Sequence, residues 1–335
     1  MIRALFLIML CHCGLLAAEE TDQFTLPPFE IQDIGFAASN RLYAIIEEAK
    51  NQTNSDIQAL LPAANYSKRA AHRLALHRQG STFADFIYSK GGAGFPRWLR
   101  PTHSAKPIAP WQYEPLPWNT IYWKVFSQSP FSILRLTPTI KMFGFYFGSD
   151  KIGHFFMQGH TYFKLYQFLL LHHKTPQQAQ ALMIQFGRFI ETTYLGTMVN
   201  GVYSNADLSA NFAGFKFYMN LTHPVQIGSK LHPPILVLKN DQWTFSPHVN
   251  KDRLLEPFLS NHLNEAWNPS HYTFMRGQIR INVKQRCTQW IERLGLTPEM
   301  VGAQLAQTRL WHGEEYGHWL AEHQAVTLLT CFGGN

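Results

Sequence analysis

Two short segments each pair an acidic residue with a second polar side chain one helical turn later. Asp150 and His154 lie in Gly148-Ser149-Asp150-Lys151-Ile152-Gly153-His154-Phe155-Phe156; Asp207 and Asn211 lie in Ser204-Asn205-Ala206-Asp207-Leu208-Ser209-Ala210-Asn211-Phe212. Residues four apart share a helix face, so two helices meeting on these faces would gather Asp, His, Asp and Asn into one polar pocket. Such a pocket suits two kinds of chemistry. Asp150, His154 and Asp207 form a candidate catalytic set for general acid/base work. Imidazole with carboxylates also suits Zn, Mn or Fe(II). Glu191, on a helix between the two motifs, would then join His154 and Asp207 as metal ligands, with Asp150 orienting His154 from behind. By helix angle Lys151 points away from His154, toward a phosphate or carboxylate at the pocket rim.

Each feature also has a plain structural reading. A carboxylate in a first helical turn is favoured by the exposed N–H groups and the helix dipole, and His154 is then simply the partner of Asp150. Asp207 stands three residues after Ser204, as in a capping box. Near the C-terminus, Glu315 and His318 have the i, i+3 spacing of di-iron bundles. Those bundles need a second such motif and two further glutamates, so a His-rich amphipathic surface is the simpler reading. The chain has no His-Glu-x-x-His motif and no Gly-x-Ser-x-Gly elbow. Gly91, Gly92 and Gly94 lack the Lys-Ser/Thr sequel of a phosphate-binding loop.

The elements that must position these residues read as mainly α: a compact helical bundle with one small β-hairpin and a long Pro/aromatic loop. Apolar spacing predicts helices over 34–50 and 56–77, separated by a break at 51–55 and interrupted near Pro62. The basic residues Arg69, His72, Arg73, His77 and Arg78 form a solvated cationic face. The loop spans 89–122 and carries Trp98, Trp111 and Trp118 among prolines, a stretch that either pins itself to the core or lines a glycan or lipid cleft. Helices follow over 150–173, over 177–195 behind a Thr175-Pro176 cap, and from Ser204 to about residue 221. A hairpin turns at Asn240-Asp241. Helices then return over 252–264, 274–294, 298–307 and 311–329. The division expected is a signal segment at 1–18, a helical core unit at 19–224 containing the motif helices of 150–221, and a hairpin with helical extension at 225–335.

Residues 1–18 place one arginine before a short apolar run and end in Ala17-Ala18, the layout of a secretory signal cleaved after Ala18. The run is short for a membrane span, and a retained anchor is the alternative. Cleavage removes Cys11 and Cys13 and leaves Cys287 and Cys331, which an oxidising compartment would join as a disulfide. The formal charge of +7 falls to +6 with the loss of Arg3, and no Lys/Arg-rich run stands out, which argues against nucleic acid as a partner. Peripheral contact with a membrane surface stays open. With 46% hydrophobic residues, the chain has enough apolar side chains for a substantial core.

The run Asp-Lys-x-Gly-His-Phe at 150–155, followed by Ser-x-x-Asp-Leu-x-Ala-Asn at 204–211 and Gly214, resembles the motifs of VanZ-like proteins and of small YfiM-type envelope lipoproteins. It looks most similar to uncharacterised secreted bacterial proteins that share both motifs. The resemblance implies a helical unit at the cell envelope. Asp150, Lys151, His154, Ser204, Asp207 and Asn211 are the matching positions, and Lys151, Ser204 and Asn211 are the candidate ligand-binding ones among them. The residues themselves leave two functions in view: a non-catalytic periplasmic or secreted envelope protein whose pocket is a structural network or holds a lipid or glycan, and a metal-assisted hydrolase, with Zn as an example ion, acting on an envelope phosphoester or related bond.

Overall fold

The computed structural model describes residues 19–92, 94–99, 110–125, 135–193, 196–198, 201–273, 275–310, 315–318 and 324–334. The expected signal segment at 1–18 lies outside them, as do part of the Pro/aromatic loop and most of the His-rich segment, including His312 and His323. In chain order the principal elements are β1 (Glu19–Glu20), α1 (Gly35–Ala64), α2 (Lys68–Arg78), α3 (Phe83–Ile87), α4 (Gly94–Leu99), β2 (Gln112–Tyr113), β3 (Arg135–Leu136), β4 (Thr139–Met142) and β5 (Phe145–Gly148). Then come α5 (Asp150–Gly153), α6 (Gly159–Leu171), α7 (Pro176–Thr192), β6 (Val202–Tyr203), α8 (Asn205–Asn220), β7 (Val225–Ile227) and β8 (Lys230–His232). The chain continues through β9 (Leu236–Lys239), β10 (Gln242–Phe245), β11 (His271–Tyr272), α9 (Arg276–Lys284), α10 (Cys287–Leu294) and α11 (Pro298–Leu310). The fold is mainly helical with several small sheets rather than a single hairpin. β2, β4 and β5 form a three-stranded antiparallel sheet, β1 runs parallel to β3, and β9 pairs with β10 across Asn240 and Asp241, both at positive φ.

α8 is the helix the others surround. All of its residues except Lys216 and Met219 are buried, the pattern of a helix with neighbours on every side. Its sequence allows this because small residues alternate with aromatic ones. A Cβ added to Gly214 would lie 1.9 Å from the Phe155 carbonyl oxygen, and one added to Gly159 would lie 2.6 Å from the Gly214 Cα. The two glycines therefore let α6 and α8 cross with their backbones in contact. Phe155, Phe156, Phe217 and Phe258 pack around the crossing with ring centroids 5.0 to 6.1 Å apart. A second apolar cluster joins Phe24 and Tyr122 to Ile279, Val283 and Trp290 of the C-terminal helices, and the Cys287–Cys331 disulfide lies at its edge.

Several expected boundaries shift for identifiable reasons. The polar run at 51–55 does not break α1. Asn54 bonds both ways to the Trp243 backbone, at 2.9 and 2.7 Å, and Thr53 is buried, so these side chains serve a tertiary contact instead of capping a turn. The stretch expected as a helix over 252–264 is instead three short 3₁₀ turns. Pro257 removes one helical N–H and clashes with the preceding turn, while the Asn250 and Ser260 side chains cap the turns locally. The helix expected over 274–294 divides at Arg286, whose buried guanidinium reaches Thr25 Oγ1 at 3.2 Å. The one expected over 311–329 is not helical at 315–318, where Gly317 has φ +96°. Among the described residues no helix is long and apolar enough to cross a membrane.

Candidate functional site

The two motifs do meet, and Lys151 stands at their centre. α5 opens directly after β5 and places Asp150 and Lys151 in its first turn, both buried. Lys151 Nζ lies 2.7 Å from Asp150 Oδ2, 2.5 Å from Asp207 Oδ1 and 2.6 Å from Glu265 Oε1. The Lys151 side chain is 0% exposed and the carboxylates 1%, 2% and 0%. The expectation that Lys151 would face a rim is therefore corrected. Helix angle fixes only which way the side chain leaves α5, and what lies in that direction is α8 and the 264–268 turn.

The helix bulges just beyond. His154 to Gln158 form a single π-helical turn, a local irregularity often found at functional sites. His154 Nε2 sits 3.3 Å from Asp207 Oδ2, and its Nδ1 is 3.0 Å from Asn211 Oδ1. Because an amide oxygen only accepts, Nδ1 is the donor in that bond. The hydrogen-bonding partners of His154 thus come from α8, not from Asp150 as the one-helix reading has it. Asp150 turns its second oxygen to Thr21, whose hydroxyl donates to Oδ1 at 2.9 Å and lies 2.6 Å from the Thr137 hydroxyl. Gly148 makes this possible, since a Cβ there would come within 2.2 Å of both Asp150 Oδ1 and Thr21 Oγ1.

Asp207 is not half of a closed capping box. Its backbone N–H donates to Ser204 Oγ at 3.1 Å, but its carboxylate faces Lys151 and His154. Ser204 in turn donates its own backbone N–H to Glu191 Oε1 at 2.8 Å. Glu191, buried on α7, thereby fixes the start of α8 and is tied to the site through backbone. Of the expected metal set, His154 and Asp207 are in contact, but His154, Glu191 and Asp207 do not converge. Among the described residues the one group of three ligand types whose atoms all lie within 4.8 Å of one another is Asp150, Asp207 and Glu265. The Lys151 ammonium already bridges those three. Glu315 forms an ion pair with Arg188, and the His318 ring packs on Tyr316, outside any helix that could give them i, i+3 geometry.

Burial and charge set the protonation of the cluster. Burial alone would lower the Lys151 ammonium, but Asp150, Asp207, Glu265 and Glu20 together hold it well above the usual lysine range. Burial would raise Asp150, and the charge and hydrogen bond of Lys151, then His154 and the Thr21 hydroxyl, outweigh it and keep the carboxyl low. Glu265 goes the other way. Burial pushes it from the ordinary 4.5 up to about 8 against the pull of Lys151, with Asp150 and Asp207 adding to the rise. Glu20 is raised by burial and by Glu265, and Glu191 by burial and by Asp207. One lysine cannot compensate five buried carboxyl groups, so the surplus glutamates favour their neutral forms.

Compared with models of known protein families, with curated proteins and with solved structures, the chain matches none. Glu265, Glu20 and Thr21 are the members of the site that sequence reasoning missed. Glu265 lies 58 positions beyond Asp207 in an irregular turn, and no spacing rule links a turn to a helix face. The one available signal is a glutamate set among apolar residues, Leu263, Ala266 and Trp267.

Proposed function

We propose that this is an exported protein of the bacterial cell envelope, cleaved after Ala18, that acts by binding and not by catalysis, with the Lys151 cluster as an internal ionic lock. The observation that carries this is burial: Lys151, Asp150, Asp207 and Glu265 are at most 2% exposed, and His154, at 15%, is the charged or titratable ring nearest to solvent in that group. A reaction at the cluster would need substrate to reach groups already bonded to one another. A lock needs only that they hold together β1, α5, α8 and the 264–268 turn. Export is supported by the signal-like residues 1–18, by the bonded Cys287 and Cys331 and by the motif resemblance to envelope proteins. The ligand class in view is an envelope glycan or lipid.

The metal-assisted hydrolase has less support, because the carboxylates that come together are bridged by an ammonium. Elemental analysis of protein purified without chelator, beside Lys151→Met and Asp207→Ala variants checked for folding, separates the two. The lock predicts no stoichiometric metal in the parent and a large stability loss in both variants. Near-stoichiometric metal in the parent that disappears from a folded Asp207→Ala variant would overturn it.

A further inference from the structure

The basic residues of α2 divide into two groups. His77 is buried, with Nε2 3.9 Å from Asp56 Oδ2, and the Arg78 guanidinium makes two bonds to Asp241, at 2.6 and 2.7 Å. Lys68, Arg69, His72 and Arg73 are exposed, and among the described residues their side chains form no ion pair or hydrogen bond. Helix spacing puts Lys68 and His72 opposite the buried Leu74 and His77, with Arg69 and Arg73 beside them. α2 packs against α1 and, at its C-terminal end, against the β9–β10 hairpin, where Trp243 Nε1–H donates to the His77 carbonyl at 2.9 Å. The cationic face is therefore turned away from the body of the protein.

Stability does not account for this placement. The helix dipole favours acidic residues in a first turn, yet α2 opens with Lys68 and Arg69 and has no acid there. No Asp or Glu stands anywhere between Asp56 and Asp85. Like charges side by side on an open helix face repel one another, and a negatively charged surface across from them relieves that repulsion.

Apolar groups mark the kind of surface. Tyr66 stands 91% exposed at the corner between α1 and α2, with Pro62 and Ala63 exposed close by, and Leu76, 37% exposed, continues the row of Lys68 and His72. A phenol ring set among cations and apolar side chains suits the boundary between lipid headgroups and acyl chains. A basic helix face interleaved with apolar residues is the layout of a helix lying on anionic lipid. Nucleic-acid phosphates would use the same cations and leave Leu76 and Pro62 in water.

We infer that the exposed face of α2, with the α1–α2 corner at its end, docks the protein peripherally on an anionic phospholipid surface. Lys68, Arg69 and Arg73 meet the headgroup phosphates, and Tyr66 sits at the water boundary. The inference rests on the reading of the chain as an envelope protein and names the surface and lipid chemistry; it does not use the Lys151 cluster.

The test is co-sedimentation of the mature protein, disulfide intact, with vesicles of phosphatidylcholine alone and of phosphatidylcholine mixed with phosphatidylglycerol, beside a duplex DNA binding assay. Binding is expected on the mixed vesicles only, and it should weaken as salt rises. Lys68→Glu/Arg69→Glu/Arg73→Glu should weaken it on the order of a hundredfold, and Tyr66→Ser should weaken it severalfold. Lys174→Glu/Lys284→Glu/Arg293→Glu, which reverses as many exposed cations on other elements, should bind within a few-fold of the parent. The substituted α2 residues are exposed and acids suit its first turn, so melting temperatures should stay close to that of the parent. Equal binding to both vesicle types, equal loss in the two triple variants, an α2 variant that binds like the parent, or capture of duplex DNA but not of vesicles would each overturn the inference. If vesicle binding fails while the parent is metal-free and Lys151→Met is destabilised, the docking face falls and the ionic lock stands.

Discussion

Lys151 Nζ lies 2.5 Å from Asp207 Oδ1, with both side chains withdrawn from solvent and 56 positions apart in the chain. The contact ties the first turn of α5 to the first turn of α8. Removing the cation leaves buried carboxylates uncompensated, which typically costs about 3–5 kcal/mol. Lys151→Met is expected to lose stability on that scale in urea unfolding. Neutralising the partners as well, with Asp150→Asn, Asp207→Asn and Glu265→Gln, should restore most of it, because a neutral cluster carries no desolvated charge. A combined variant no more stable than Lys151→Met would show that packing, not charge, holds the site.

Glu265 makes stability pH-dependent in a defined direction. Its folded-state pKa of about 8 lies above the ordinary 4.5, so the folded chain keeps a proton that the unfolded chain releases. The sign follows from linkage: this contribution is fully present below pH 4.5 and is lost as pH rises toward 8. The parent should therefore lose stability relative to Glu265→Gln across that window, by a few kcal/mol at about 1.36 kcal/mol per pKa unit. Glu20 and Glu191, also raised, remain in both proteins and largely cancel in the comparison. Melting curves at several pH values provide the check, and the opposite slope would mean that Lys151 keeps Glu265 ionised.

The α6–α8 crossing should tolerate no side chain at Gly214. A methyl there meets the Phe155 carbonyl oxygen, a backbone atom that cannot rotate away. Gly214→Ala is expected to cost about 3 kcal/mol or more in chemical unfolding. Gly302, in α11, has open space at the same position; Gly302→Ala should instead gain about 0.5–1 kcal/mol, since alanine is the better helix former.

Cleaving the Cys287–Cys331 bond, which closes a span of 44 residues, should cost about 2–4 kcal/mol. The Cys287→Ser/Cys331→Ser pair in urea unfolding measures it. Hydrogen exchange should show the loss of protection concentrated in α9, α10 and the 328–332 turn. Loss spread evenly over α6 and α8 would instead make the disulfide a global constraint.

What the sequence by itself determined is local. Asp150 and Asp207 could be placed in first helical turns, Ser204 at a cap, the Asn240-Asp241 turn between two strands, and Cys287 with Cys331 as a pair, because caps, turns and cysteine counts depend on neighbours in the chain or on composition. The meeting of the two motifs was legible as well, since each motif put its polar residues on one helix face. The tertiary structure alone decided that Lys151, not His154, is the centre, that Glu265 closes the cluster, and that Asn54 continues a helix because it bonds to Trp243. A side chain's role is set by what lies across from it. For Lys151 the facing groups come from Asp207 on α8, 56 positions along the chain, and from Glu265 in an irregular turn, 114 positions along. Period and spacing carry no information about either.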